Sequence, residues 1–344
     1  MRNSSPRRSV GRTALRLAPA LAVGIALAVS STAGVASAGE RNKVRLPASI
    51  PVLDWHELNN GCDPTTPVCN APDPESVSSA QLSAELGYLK VQGYRTINPQ
   101  QYLWWTKGVN DNLPAKPVFL VADNGIENLL AGAQPILRAD GFTMTVAVIT
   151  GFADGAGNLC TEPLYEPGCP GDNADGNWDA TWQQLAALPS STFNFILESG
   201  AAGHFVQTYD PNCTAFYACE VPGETDQAYE SRVITDLAAG QQEVQRKLGN
   251  RFTAGLWVVP YSDDGYTPCT GVSCTPQPYD GPAGWLTSWT AQHFGVAFVE
   301  DAFRNGVQNE RFRIDVQGWM DEPTFEQMLN GDLAAGSFSL TPAA

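Results

Sequence analysis

Short continuous apolar runs alternate along this chain with longer stretches whose apolar residues recur every three or four positions, which predicts an α/β protein with a mainly parallel sheet or barrel. The runs at 50–53, 118–122, 142–149, 204–209, 254–259, 296–299 and 312–316 predict strands, several of them apolar without interruption, as strands covered on both faces are. Ser78 with Gln81 forms a capping-box signature, after which Leu82, Leu86 and Leu89 fall on one helical face and Gly93 ends the element. A helix is expected over 126–138, and a mostly helical stretch over 178–199 with a break at Pro189. The longest helix should span 226–248, capped by Thr225 and closed by Gly249, with Tyr229, Val233, Leu237, Val244 and Leu248 on one stripe. A shorter helical segment covers 286–293.

The first 38 residues stand apart from this pattern: five Arg and no acid, an apolar run over 17–29, then Ala36-Ser37-Ala38. That is the layout of a cleaved export signal, so the mature protein is expected to be one domain over 39–344, secreted and free of the membrane after cleavage. The apolar run is shorter than the ~20 residues a bilayer requires. Arg7-Arg8 leaves both the general and the twin-arginine export routes open. The whole chain carries 20 basic and 36 acidic residues, a net of −16, and removing the five leader arginines takes the remainder to −21. An acidic surface of that size argues against a nucleic-acid partner.

Eight cysteines fall into four close pairs, Cys62 with Cys69, Cys160 with Cys169, Cys213 with Cys219 and Cys269 with Cys274, each within Pro-, Gly- or Asp-rich sequence. Local disulfides that pin loops suit an exported chain. Zinc held by cysteine is the poorer reading, because C-x-x-C spacing is absent.

Acidic residues follow several predicted strands: Asp54, Asp123, Asp210 and the pair Asp263-Asp264. In an α/β barrel the site forms at the carboxyl ends of the strands, so these positions could converge at one mouth; any single Asp there also serves simply as a turn or helix cap. His56 lies just past the first strand with Asp54 and Glu57 beside it, and with Asp123 it could bind an ion or form an acid–base pair. Among nine tryptophans, Trp55, Trp104 and Trp105 are candidates for stacking on sugar rings, whereas Trp257 within a strand suits the core.

Taken in order, these segments resemble the polysaccharide deacetylase (NodB-homology) family, carbohydrate esterase family 4. Ile50-Pro51-Val52-Leu53-Asp54-Trp55-His56-Glu57 is similar to its opening strand, and Gly93-Tyr94-Arg95-Thr96-Ile97 to its helix-to-strand passage. Val121-Ala122-Asp123-Asn124-Gly125 resembles Thr-Phe-Asp-Asp-Gly, and Pro135-Ile136-Leu137, Gly141-Phe142-Thr143 and Ile149-Thr150-Gly151-Phe152 follow in family order. Gly203-His204-Phe205-Val206-Gln207-Thr208-Tyr209-Asp210 resembles the family's Gly-His-Glu-Ile-Gly-Asn-His-Thr, and Val259-Pro260-Tyr261 its third motif. The resemblance implies a distorted (β/α) barrel of about seven strands.

It also implies a broken active site. The family removes acetyl groups with a divalent metal, usually zinc, held by the second Asp and two His; here Asn124, Tyr209 and Cys213 stand at those positions. An amide, a phenol and an oxidised sulfur cannot replace a carboxylate and two imidazoles, so no cofactor is expected. Asp123 keeps the general-base position. Asp54, His56, Trp104, Trp105, Tyr209, Asp210, Pro260 and Tyr261 are the candidate substrate-binding residues. The resemblance thus points to a secreted protein that recognises an acetylated polysaccharide or cell-wall glycan with metal-dependent deacetylation lost. The alternatives are an active carbohydrate hydrolase, deacetylase or glycosidase, using Asp123 and neighbouring acids, and a structural cell-wall protein.

Overall fold

The computed structural model describes residues 46–47, 49–58, 75–109, 112–153, 179–201, 223–260, 283–299, 310–318 and 320–330. The expected leader, all four cysteine pairs, the strand expected at 204–209, and Tyr209, Asp210, Cys213, Tyr261 and Asp263-Asp264 lie outside these residues. No helix among the described residues is long and apolar enough to cross a membrane.

The first half of the chain runs β1 (Val52–Trp55), β2 (Glu57–Leu58), β3 (Ser76–Val77), α1 (Ser79–Val91), β4 (Arg95–Thr96), α2 (Pro99–Thr106), β5 (Pro117–Ala122), α3 (Glu127–Asp140), β6 (Met144–Ile149) and α4 (Thr150–Ala153). The second half runs α5 (Trp182–Ala187), β7 (Phe193–Ser199), α6 (Asp226–Leu248), β8 (Phe252–Val258), α7 (Ala283–His293), β9 (Val296–Val299), β10 (Glu310–Phe312), β11 (Ile314–Asp315) and α8 (Glu322–Leu329).

The strands of the main sheet are parallel and lie in the order β10-β9-β8-β7-β6-β5-β1-β11, with β4 paired to the start of β5. β10 and β11 are one stretch of chain interrupted at Arg313. Its first half pairs with β9, Arg311 opposite Phe298, and its second half with β1, Ile314 opposite Leu53. The ladder therefore returns to its start, giving a distorted barrel of seven staves among the described residues. Disulfide-pinned loops, the other part of the fold expectation, fall on cysteines outside them.

Two apolar layers build the barrel. Leu53, Trp55, Leu120, Ala122, Val146, Val148 and Leu197 face outward onto α1, α3 and α6. Val52, Phe119, Val121, Ala147, Ile196, Leu256, Val258, Val296 and Phe298 face inward. This alternation follows from the two-residue period of a strand, and it fixes which polar residues must enter the barrel.

The helices form largely where the sequence places them. Ser78 accepts the N–H of Gln81 to start α1, and Gly93, at φ +83°, lets the chain turn back so that Tyr94 N–H reaches Leu89 O at 2.9 Å. The capping box is half made: the Gln81 amide donates to Glu85 and to the Gln317 carbonyl instead. The predicted 226–248 helix is α6, with Thr225 as its cap. The exception is the helical reading of 178–199. The helix stops at Ala187 ahead of Pro189, and Phe193–Ser199 is a central strand, paired with β6 and β8. Burial on both faces removed the polar alternation that would have marked it, and its apolar run reads equally as helix.

Candidate functional site at the carboxyl end of the barrel

Inward-facing positions change character along each stave. Below lies the apolar layer; at the carboxyl ends, Val52 gives way to Asp54, Val121 to Asp123 and Ile196 to Glu198. Opposite them, the seam stretch contributes Arg313 and Asp315 on either side of the outward-facing Ile314.

Arg313 lies at the centre of this group. Its side chain is 2% exposed, and its Nη1 donates to Asp54 Oδ2 at 2.9 Å and also to Asp123 Oδ2. Both carboxylates are buried, at 0% and 1% exposure. His56 lies between two acids, Nε2 at 3.4 Å from Asp123 Oδ2 and Nδ1 at 3.5 Å from Asp315 Oδ1. Burial alone would favour neutral imidazole, but the Asp315 hydrogen bond and the charges of Asp123, Glu75 and Asp315 outweigh it and raise His56 well above its usual pKa. Asp315 moves the other way. Burial pushes it up, yet the His56 hydrogen bond and charge, the Gln317 amide at 2.6 Å and the Arg313 charge hold it below the ordinary carboxylate range. Two cations are thus interleaved among three carboxylates.

The loop after β5 is shaped for the mouth. Asn124 sits at φ +59° and Gly125 at φ +80°, a left-handed pair that Asn and Gly adopt at least cost. The Asn124 N–H points to Glu198 Oε2 at 2.9 Å, tying the position next to Asp123 to the end of β7.

Of the residues expected at the site, Asp54, His56 and Asp123 converge as the strand-end argument requires, and Pro260 follows β8 at the same end of the barrel, buried. Trp104 and Trp105 do not join them. They belong to α2, which plugs the opposite, amino-terminal end: Tyr102 rests on Phe119 and Phe298, Leu103 reaches the start of β9 beside Gly295, and Trp105 Nε1 donates to Pro47 O at 3.0 Å. Stacking on a ligand in the mouth is closed to them in this fold. Their placement follows from Asn98-Pro99, which starts α2 below the sheet, and the apolar count of the segment does not reveal which end it covers. Trp55 also turns outward, donating to Glu85 on α1 at 3.0 Å. Arg313, Asp315 and Glu198 were not singled out from sequence. For the first two the signal was present: two charged residues flanking Ile314 within an expected strand mark a polar inner face.

A divalent ion is the group this kind of site implies, and its fit can be tested on the donors. One atom each from Asp54, His56 and Asp123 lie within 4.8 Å of one another, a spacing that suits an ion. Yet the two carboxylate oxygens are already bridged by a guanidinium nitrogen, a positive centre in the place an ion would take. Asn124, next to Asp123, offers an amide and no carboxylate. The residues do not fit a metal in this arrangement.

No protein-family model matches the chain, and no curated protein matches it. Solved structures do. A de-N-acetylase from Aggregatibacter actinomycetemcomitans superimposes with a TM-score of 0.59 at 16% identity, over 81% of this chain and 98% of that one. IcaB from Ammonifex degensii gives 0.52 at 17%, over 83% and 97%. The Streptococcus pyogenes deacetylase PplD, solved with acetate, gives 0.51 at 14%, over 82% and 99%. At these identities the likeness is one of fold, a fold that this chain shares with the de-N-acetylase and the deacetylase.

Proposed function

We propose that this protein acts outside the cell as a deacetylase-like glycan-binding protein: it recognises an acetylated polysaccharide or cell-wall glycan at the carboxyl end of its barrel and does not deacetylate it with a metal. One observation carries the reading. The carboxylate at the general-base position, Asp123, accepts from Arg313 and pairs with His56 through its Oδ2, so this oxygen is engaged by cations, and its Oδ1 is buried. A base contributes to hydrolysis only when it reaches an activated nucleophile. What remains is a buried set of alternating charges, rimmed by the Asn124-Gly125 turn, that could orient hydroxyl and acetamido groups without changing them. The fold shared with deacetylases supports a glycan as the ligand class.

The test is calorimetric titration of acetylated chitin oligomers and solubilised cell-wall glycan into the mature protein, with acetate and reducing sugar measured in the same samples. Binding without release is expected, and Asp123→Asn should leave affinity nearly unchanged because the amide still accepts a hydrogen bond. Trp104→Ala, at the far end of the barrel, should also leave it unchanged. Release of acetate or sugar that disappears in Asp123→Asn would overturn the reading in favour of a working hydrolase.

A further inference from the structure

A single nitrogen, Arg313 Nη1, donates to one oxygen of each of two buried carboxylates that come from different staves. An arginine often presents two nitrogens to one carboxylate. Here one positive centre is instead shared between Asp54 Oδ2 and Asp123 Oδ2, with His56 Nε2 approaching the same Asp123 oxygen at 3.4 Å. A small cation bridging the two carboxylates, with the imidazole beside it, would take the same place. Asp123 Oδ1 meanwhile has no hydrogen-bond partner among the described residues, so the acid's second lone-pair set remains unspent inside the barrel.

We propose that Arg313 is a built-in substitute for a divalent cation: its guanidinium holds Asp54 and Asp123 together, and shortening this one side chain uncovers a site for a divalent metal made of Asp54, His56 and Asp123. The ligand set would be two carboxylates and one imidazole, a hard-to-borderline mixture that suits zinc, cobalt or manganese, with water completing the shell. Charge gives the reason for the exchange. Removing the guanidinium takes away the cation that Asp54 and Asp123 share and leaves His56 as the cation beside them, an unfavourable state that an entering dication relieves. The metal would bind because the fold lacks its cation, with His56 giving up its proton on coordination. This inference is independent of whether a glycan binds.

The experiment measures ion binding directly. Wild type, Arg313→Ala and Arg313→Lys are stripped with chelator, and cobalt or zinc is added while melting temperature, calorimetric binding and the visible absorption of cobalt are followed. Wild type and Arg313→Lys, which keep a cation in place, should bind no ion at the site. Arg313→Ala should take up one equivalent at least 100-fold more tightly than wild type, with a cobalt d–d band, and its melting temperature should rise with metal concentration. Adding Asp123→Asn to Arg313→Ala should remove the band. Recovery of folded Arg313→Ala only in the presence of metal is also the expected behaviour. The proposal is overturned if Arg313→Ala gains no ion, if it cannot be recovered even with metal present, or if wild type itself holds a stoichiometric ion on these three residues.

Discussion

Glu85 is a carboxylate on the buried face of α1, 5% exposed, with Trp55 Nε1 donating to Oε2 at 3.0 Å and Gln81 Nε2 to Oε1 at 2.9 Å. Burial raises its pKa from 4.5 to about 7 against the opposing effect of those two hydrogen bonds. The folded protein therefore keeps a proton that the unfolded chain gives up near pH 4.5. Its contribution to stability is greatest below that pH and falls as pH rises toward 7, at about 1.4 kcal/mol per unit, a loss of about 3 kcal/mol in all. Glu85→Gln removes the ionisation. The amide still accepts one hydrogen bond but places an N–H₂ opposite an existing donor, which costs ~1–2 kcal/mol at every pH. Urea unfolding followed by tryptophan fluorescence from pH 4.5 to 8 should show the variant somewhat less stable than wild type at the acid end and more stable at the alkaline end. The difference between the two proteins should change by about 3 kcal/mol across the range, a comparison in which all other titrating groups cancel. A difference flat to within 1 kcal/mol would refute the burial argument.

Gly200 sits against α6, where an added Cβ would lie 2.4 Å from the Asp236 carbonyl and carboxylate, so Gly200→Ala should destabilise by about 2 kcal/mol or more. Gly295→Ala would meet chiefly the end of the Leu103 side chain, with the Gly255 carbonyl farther off at 3.3 Å, and should cost less; equal effects in urea unfolding would contradict the packing described. The His56 ring should remain imidazolium above pH 6.5. Because its folded pKa is raised, the stability it adds is fully present below about 6.5 and disappears as pH rises through the folded value; the Asp315 contribution is present above about 3.9 and lost as pH falls through its lowered value. Ring proton shifts that titrate near 6.5 would contradict this arrangement.

The parallel barrel was legible because its apolar runs are short, regularly spaced and bounded by turn residues, and α6 was legible to the residue because cap, stripe and terminal glycine all agree. β7 was not, since Phe193–Ser199 is buried on both sides and carries neither period. Asp54, His56 and Asp123 could be grouped before any coordinates because strand ends in such a barrel share one mouth. Arg313 could not be paired with them from sequence: Asp54 and Arg313 are 259 positions apart, and only closure of the seam brings them together. The tryptophan pair failed for a related reason, as exposure can be guessed from a sequence but the end of the barrel a helix covers cannot.

Closure of the seam also sets the order in which the protein can be made. β1 is the first stave to leave the ribosome, and the stretch at 310–315 that completes the ring against it is the last. Contacts of such sequence separation form slowly, because the loop entropy is spent before the pairing repays it. Until then Asp54 and Asp123 stand side by side on adjacent staves without their guanidinium, and one edge of β1 is open to other strands. The vulnerable species in biogenesis is therefore a nearly complete sheet with a charged, unsealed edge, and a chain cut short before Arg313 would stay in that condition permanently.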